Sequence, residues 1–195
     1  MSKTKPASAE KPYLREYFLE QRRLLCENEK RKDDLDTEIQ IRLLLSREYR
    51  AADTVLLYMA RRHEIATSMI LNAAFANGKS VGLPVCTDEH QMIFRRIASV
   101  SDLVPGRYGI MEPNESCESI NPDEKTLCVC PALSCDMRGY RLGFGGGYYD
   151  RFLNGFPGKK AALCYSDSII PVIHSFDFDI PMDVVFTDSF TRYMK

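Results

Sequence analysis

Between Lys11 and Cys26 the apolar residues Leu14, Tyr17, Phe18, Leu24 and Leu25 fall largely at helical spacing. A polar stretch from Glu27 to Asp36 interrupts that pattern, which resumes at Ile39, Ile41, Leu43 and Leu44, so two N-terminal helices are predicted. Thr54 to Met59 is a short, unbroken apolar run of the kind a strand covered on both faces requires. Ile65 to Ala76 follows as an amphipathic helix stopped by Asn77 and Gly78. Ser80 to Cys86 predicts another strand, Met92 to Ile97 an antiparallel partner, and Leu127 to Leu133 a buried strand. Ala161 to Tyr165 and Val184 to Thr187 predict two more. Strands alternating with helices define an α/β sheet. Val104 to Asp123 holds Pro105, Gly106, Gly109, Pro113 and Pro122, too many breakers for a regular element, and reads as a long surface connection.

Composition narrows the class. The 195 residues are 45% hydrophobic and 27% charged, and no linker rich in Pro, Gly or Ser divides them, so a single domain over residues 1–195 is expected, with 1–10 as a flexible tail. A formal charge of −1 provides no global positive field for nucleic acid or anionic lipid, so any phosphate binding must be local. With no signal-like segment and no run of ~20 apolar residues, a cytoplasmic protein without a membrane partner is expected. Seven cysteines without a CxxC pair suit a reducing compartment. Cys128 and Cys130 would share one face of their strand as small buried hydrophobes, since no second Cys/His pair is present to complete a zinc site.

The chemistry concentrates after the Leu127 strand. Gly143, Gly145, Gly146 and Gly147 occupy four of five consecutive positions before a predicted helix start. Glycines let backbone N–H groups approach a ligand, and a helix N-terminus offers unpaired donors, so an anion is the natural guest. A tight turn beside packed strands would use the same glycines. The loop matches neither the Walker A pattern nor G-x-G-x-x-G, which Tyr148 breaks. Arg141 and Arg151 bracket it, as bidentate phosphate ligands or as surface ion-pair partners. Asp150 would either complement the helix start or hold Mg²⁺ beside phosphates. Tyr148 and Tyr149 are either core aromatics or a flat face and a hydroxyl for a ring-shaped ligand.

Arg141-Leu-Gly-Phe-Gly-Gly-Gly-Tyr-Tyr-Asp-Arg151 resembles the signature of the 5-formyltetrahydrofolate cyclo-ligase family, and the likeness extends through Pro131, Ala132, Leu133 and Asp136. The order of elements is similar from Lys11 to Asp188. The resemblance implies a three-layer α/β/α fold with a mostly parallel sheet, similar to the ribose-phosphate isomerase and CoA-transferase type. It implies ATP-dependent closure of 5-formyltetrahydrofolate to 5,10-methenyltetrahydrofolate, with ADP and phosphate released and Mg²⁺ as cofactor; a monomer is expected. ATP would be held by Lys11 and Arg15, one helical turn apart, and by Arg141, Gly143, Phe144, Gly145, Gly146, Gly147, Tyr148 and Tyr149. Phe144 stands where relatives often carry Arg. Folate would meet Leu57, Glu64 and Tyr148, and Arg141 and Tyr148 would act in the reaction itself. Magnesium would fall to Asp150 and Asp177, with Asp179 as the fallback because Glu is commoner at the Asp177 position. His174 receives no role. A non-catalytic nucleotide-binding module on the same fold, or an isomerase or transferase with no need of ATP, are the competing readings.

Overall fold

The computed structural model describes residues 6, 10–87, 91–106 and 109–194, so the expected tail lies outside them apart from Pro6 and Glu10. In chain order the elements are α1 (Lys11–Leu25), α2 (Glu29–Leu44), α3 (Arg47–Ala51), β1 (Thr54–Leu56), α4 (Ser68–Ala76), β2 (Ser80–Cys86) and β3 (Met92–Ile97). There follow β4 (Leu103–Pro105), β5 (Met111–Pro113), β6 (Thr126–Pro131), β7 (Ser134–Asp136) and β8 (Arg141–Leu142). The chain ends with α5 (Tyr148–Leu153), β9 (Lys159–Leu163), β10 (Ile169–Ile170), β11 (Val184–Phe186) and β12 (Thr191–Tyr193).

The main sheet has the order β12-β11-β9-β6-β1-β2-β3. Its inner strands are parallel, while β12 and β3 run antiparallel at the two edges. Side chains alternate across the pleat. Val55, Leu127, Val129, Ala161, Leu163, Val184 and Phe186 face the layer that holds Ile39 and Leu43 of α2 and Ile70 and Ala74 of α4. Leu56, Cys128, Cys130, Ala162, Cys164 and Val185 face the opposite layer, with Leu153 of α5. Helices on both faces of a mostly parallel sheet match the expected α/β class. Cys128 and Cys130 do share a face, fully buried, with their Sγ atoms 3.8 Å apart.

Three predicted elements change shape for identifiable reasons. The polar stretch from Glu27 is mostly the first half of α2, which starts once the Asn28 side chain accepts from the Arg31 N–H. Its Asp36 is buried and accepts from Tyr165 Oη and the Ala66 N–H. The β1 strand ends at Leu56; Leu57 N still donates to Gly82 O, and Tyr58 beyond it stays buried, held by its Oη donating to Ile65 O and by Thr67 Oγ1 donating to Tyr58 O. The supposed irregular connection from Val104 contributes to the β4–β5 ribbon and then lines β3, where Ile120 N donates to Phe94 O and Arg96 N to Glu118 O. Prolines and glycines end strands without forbidding three-residue ones, and this segment covers an edge that would otherwise be open.

A second sheet, β10-β7-β8, lies beside the first. Leu14, Tyr17 and Phe18 of α1 pack on it through Leu133, Leu142, Ile170 and Ile173. Its organising group is Asp136, 1% exposed, whose carboxylate accepts from Arg138 N, Nε and Nη2, Tyr140 N and Ile173 N. Asp136→Asn turns one acceptor into a donor facing those N–H groups. It should lower unfolding free energy by about 2–4 kcal/mol in urea denaturation; a change under about 0.5 kcal/mol would refute this role.

Candidate active site

The connection from β1 leads to β2 on one side, whereas β6 pairs with β1 on the other. Crossovers leaving in opposite directions open a crevice at the C-terminal ends of the strands, where open α/β sheets hold ligands. A cleft of about 590 Å³ lies there, walled by Tyr58 and Met59 just beyond β1, Pro131 at the end of β6, and the glycine loop. That volume suits a ligand of cofactor size.

The loop needs its glycines. Gly145 has φ 105° and Gly147, which precedes α5, has φ 68°, a region side chains with a Cβ rarely adopt. A Cβ on Gly147 would also come within 2.8 Å of Arg151 Nη1. Arg151 Nη2 donates to Gly146 O at 2.7 Å and its guanidinium lies by the Tyr148 ring, so this arginine braces the back of the loop and is not part of the cleft wall. The backbone N–H groups of Gly145, Gly146 and Gly147 donate to no other backbone group among the described residues. Arg15, reaching from α1, donates through Nε to Gly143 O at 3.0 Å and makes no ion pair among the described residues. The loop and Arg15 together form an anion cradle.

Arg141 lies beneath it, 8% exposed, donating through Nη1 to Asp150 Oδ1 at 3.1 Å and to Ile180 O at 3.2 Å. Burial opposes its charge, but neighbouring Cys130 and Asp150 outweigh that and hold its pKa above the ordinary value. It is a cation at any working pH. Lys11 is paired with Asp179 Oδ2 at 2.5 Å and sits over the Phe176 ring. Tyr149 Oη is buried without a hydrogen-bond partner among the described residues, and desolvation pushes its pKa well up, so it is a neutral donor in need of an acceptor. Also lining the cleft, Glu64 Oε2 accepts from the Arg61 N–H at 2.7 Å, and Oε1 has no partner among the described residues. Burial raises the Glu64 pKa, partly offset by the Arg61 N–H and the charges of Arg61 and Arg22.

Most of the predicted site residues therefore meet in one cavity: Lys11, Arg15, Glu64, Arg141, Gly143, Phe144, Gly145, Gly146, Gly147, Tyr148, Tyr149 and Asp150 all line it. Two do not. Leu57 is fully buried in the layer packed by α2 and α4, because alternation along its strand gives it the face of Val55. Asp177 is exposed and off the cleft wall, whereas Asp179 is on it, fixed by Lys11 and by the Phe176 N–H. His174, given no role, lines the cleft, as do Tyr58, Met59 and the stacked pair Phe176 and Phe178, which carried no motif.

The two carboxylates suit magnesium. Asp150 keeps Oδ2 and Asp179 keeps Oδ1 without a partner among the described residues, and both line the cleft that holds the glycine loop. Mg²⁺ is commonly held by one or two carboxylates plus phosphate and water. No group of three or more His, Cys, Asp or Glu among the described residues is placed to hold a metal.

Fold and site thus define an open-sheet α/β protein with a cleft at its switch point, lined by a glycine loop and by Arg15 and Arg141. The 5-formyltetrahydrofolate cyclo-ligase family model matches residues 7–188. A probable 5-formyltetrahydrofolate cyclo-ligase of Schizosaccharomyces pombe is 29% identical over 151 residues, 70% of this chain and 72% of the relative. The Haemophilus influenzae 5-formyltetrahydrofolate cyclo-ligase is 28% identical over 141 residues, 69% of this chain and 75% of its own length. Among solved structures, the 5,10-methenyltetrahydrofolate synthetase of Aquifex aeolicus superposes with a TM-score of 0.80 at 31% identity, over 95% of this chain and 93% of that one. The synthetase of Mycoplasma pneumoniae, at 22% identity, TM-score 0.72 and coverage of 92% and 99%, supports the fold. The chain belongs to the 5-formyltetrahydrofolate cyclo-ligase family.

The raised Glu64 pKa has a testable sign. A carboxyl whose folded pKa lies above its unfolded value contributes stability below the unfolded value, near 4.3, and loses it as pH rises through the folded one. At pH 7–8 the ionised group is a burden that Gln would remove. Glu64→Gln should therefore melt no lower than the parent at pH 7–8, with any gain vanishing below about pH 4. A lower melting temperature at pH 8 would contradict it.

Proposed function

We propose that the protein closes 5-formyltetrahydrofolate to 5,10-methenyltetrahydrofolate at the expense of ATP, releasing ADP and phosphate, with Mg²⁺ as cofactor. The observation that carries this is the presence, in one cavity, of a glycine loop with Arg15 and Arg141 and of a half-buried carboxylate, Glu64, whose Oε1 has no partner among the described residues. The cradle takes the triphosphate, and Glu64 accepts hydrogen bonds from the amino-pyrimidine edge of the pterin.

The reaction needs no nucleophilic side chain. The formyl oxygen attacks the γ-phosphorus, the bond to ADP breaks, and the formyl carbon becomes attached to a phosphate leaving group. N10 then adds to that carbon, loses its proton to solvent or phosphate, and phosphate departs as the ring closes. The protein aligns oxygen with phosphorus and offsets charge on the phosphoryl oxygens, as phosphoryl-transfer sites generally do. Gly145, Gly146 and Gly147 supply N–H donors, while Arg15 and Arg141 supply fixed cations. Magnesium on Asp150 and Asp179 would spread negative charge away from the β- and γ-phosphates. Tyr148, at the start of α5 and on the cleft wall, sets a ring and a hydroxyl beside the reacting carbon. Tyr149 gains an acceptor for its orphan hydroxyl when the cleft is filled.

The direct test incubates purified protein with 5-formyltetrahydrofolate and Mg²⁺, with and without ATP, following methenyltetrahydrofolate absorbance and ADP. Product only with ATP, one ADP for each ring closed, is expected; ATP binding without product would leave a non-catalytic nucleotide-binding module. Arg141→Ala should lower kcat by roughly 10²- to 10³-fold, since losing one placed donor from such a site raises the barrier by about 3–4 kcal/mol. Arg15→Ala, on the more open side of the cradle, guards against misfolding of the buried variant. A tenfold effect or less in folded protein would remove Arg141 from its role.

A further inference from the structure

Beyond Arg15, about two turns further along α1, Arg22 is only 3% exposed. Its Nη2 donates to Ala132 O at 2.7 Å and its guanidinium lies 4.2 Å from the Tyr165 ring centroid, but Nε has no partner and the side chain forms no ion pair among the described residues. A buried cation without a counter-ion is costly. The nearby acids are committed elsewhere. Asp36 accepts from Lys32 Nζ, Tyr165 Oη and the Ala66 N–H, and Asp188 accepts from Ser166 N, Ser166 Oγ and Ser189 Oγ.

Arg22 forms part of the wall of a second cavity of about 450 Å³, separate from the cleft, between the α1–α2 corner and the segments that follow β9 and β11. It shares the C-terminal edge of the sheet with the cleft, the edge where such sheets place ligands. Arg31, exposed and without an ion pair among the described residues, lies on the same wall, and Ser166, Ser189, Asp167 and Asp188 complete a polar lining. The volume is well above that of an inorganic anion. We infer that this cavity binds a small polar metabolite whose carboxylate or phosphate head pairs with Arg22 and Arg31, and whose hydroxyl or ammonium groups face Asp167 and Asp188.

The test is a titration of ¹⁵N-labelled full-length protein with glycerol 3-phosphate, glutamate and inorganic phosphate, each followed by NMR. The expected result is a saturable shift of the Arg22 Nε–H and of the Ser166 and Ser189 amides with one of the organic probes, distinguishable from any response of Gly145 to Gly147. Glycerol 3-phosphate acting alone assigns a phosphate head, and glutamate acting alone a carboxylate. Arg31→Gln, at the open rim, should weaken that binding at least about tenfold, as loss of a charge-assisted hydrogen bond does, with turnover in the cleft unchanged. Response to inorganic phosphate only, an adventitious ion only, overturns the inference. So does the lack of saturation at Ser166 and Ser189 by about 10 mM probe, or indifference to Arg31→Gln.

Discussion

The geometry of the cleft rests on the buried carboxylate of Asp136. Taking an ionised carboxylate out of water costs several kcal/mol unless its lone pairs are filled, and here backbone N–H groups of Arg138, Tyr140 and Ile173 fill them together with the Arg138 guanidinium. Those donors come from two stretches of chain. Arg138 and Tyr140 belong to the turn that leads into Arg141 and the glycine loop, while Ile173 opens the segment that runs to Asp179. One desolvated charge thus fixes the turn that leads into the glycine loop against the segment that carries Asp179. A packed apolar contact would hold them together, but it would not fix their relative position to the same degree, because it is not directional.

Within the cleft, charge is arranged before any ligand arrives. Lys11 with Asp179 and Arg141 with Asp150 are pairs that hold each other in place, whereas Arg15 makes no ion pair and the N–H groups of Gly145 to Gly147 meet no backbone acceptor among the described residues. Preorganisation of that kind avoids reorienting dipoles during the reaction, which is where fixed protein charges outperform water. Helix α1 serves both ends of this design: its apolar face seats on the small sheet, and its cationic positions project from that anchored base. The same helix buries Arg22 over Tyr165, away from the cleft.

The central strands were legible in the sequence because each is an apolar run long enough to show a pattern, and the glycine loop because four glycines near a helix start have few other uses. The two- and three-residue strands β7, β8, β10 and β12 were not, since such lengths carry no period. For Leu57 the family likeness points to folate, whereas the alternation that links it to Val55 points it into the core, where it lies. The choice between Asp177 and Asp179 had no local signal at all. Lys11, on the first helix and distant in sequence, reaches the second of the two acids, which lines the cleft. Arg151 looked equivalent to Arg141 from its place beside the loop, yet one turn of α5 directs it to the Gly146 carbonyl on the far side. Tyr58, Phe176 and Phe178 form wall without forming motif, and only tertiary placement reveals them.

The central claim is that the cleft aligns the formyl oxygen with the γ-phosphorus so that this oxygen itself becomes phosphorylated. The most direct measurement starts from 5-formyltetrahydrofolate labelled with ¹⁸O in the formyl group and determines the mass of the phosphate released during turnover with unlabelled ATP. The account predicts phosphate carrying the formyl ¹⁸O. Unlabelled phosphate, with the label lost to water or retained in the folate, would show that ATP is cleaved without transfer to that oxygen and would contradict it.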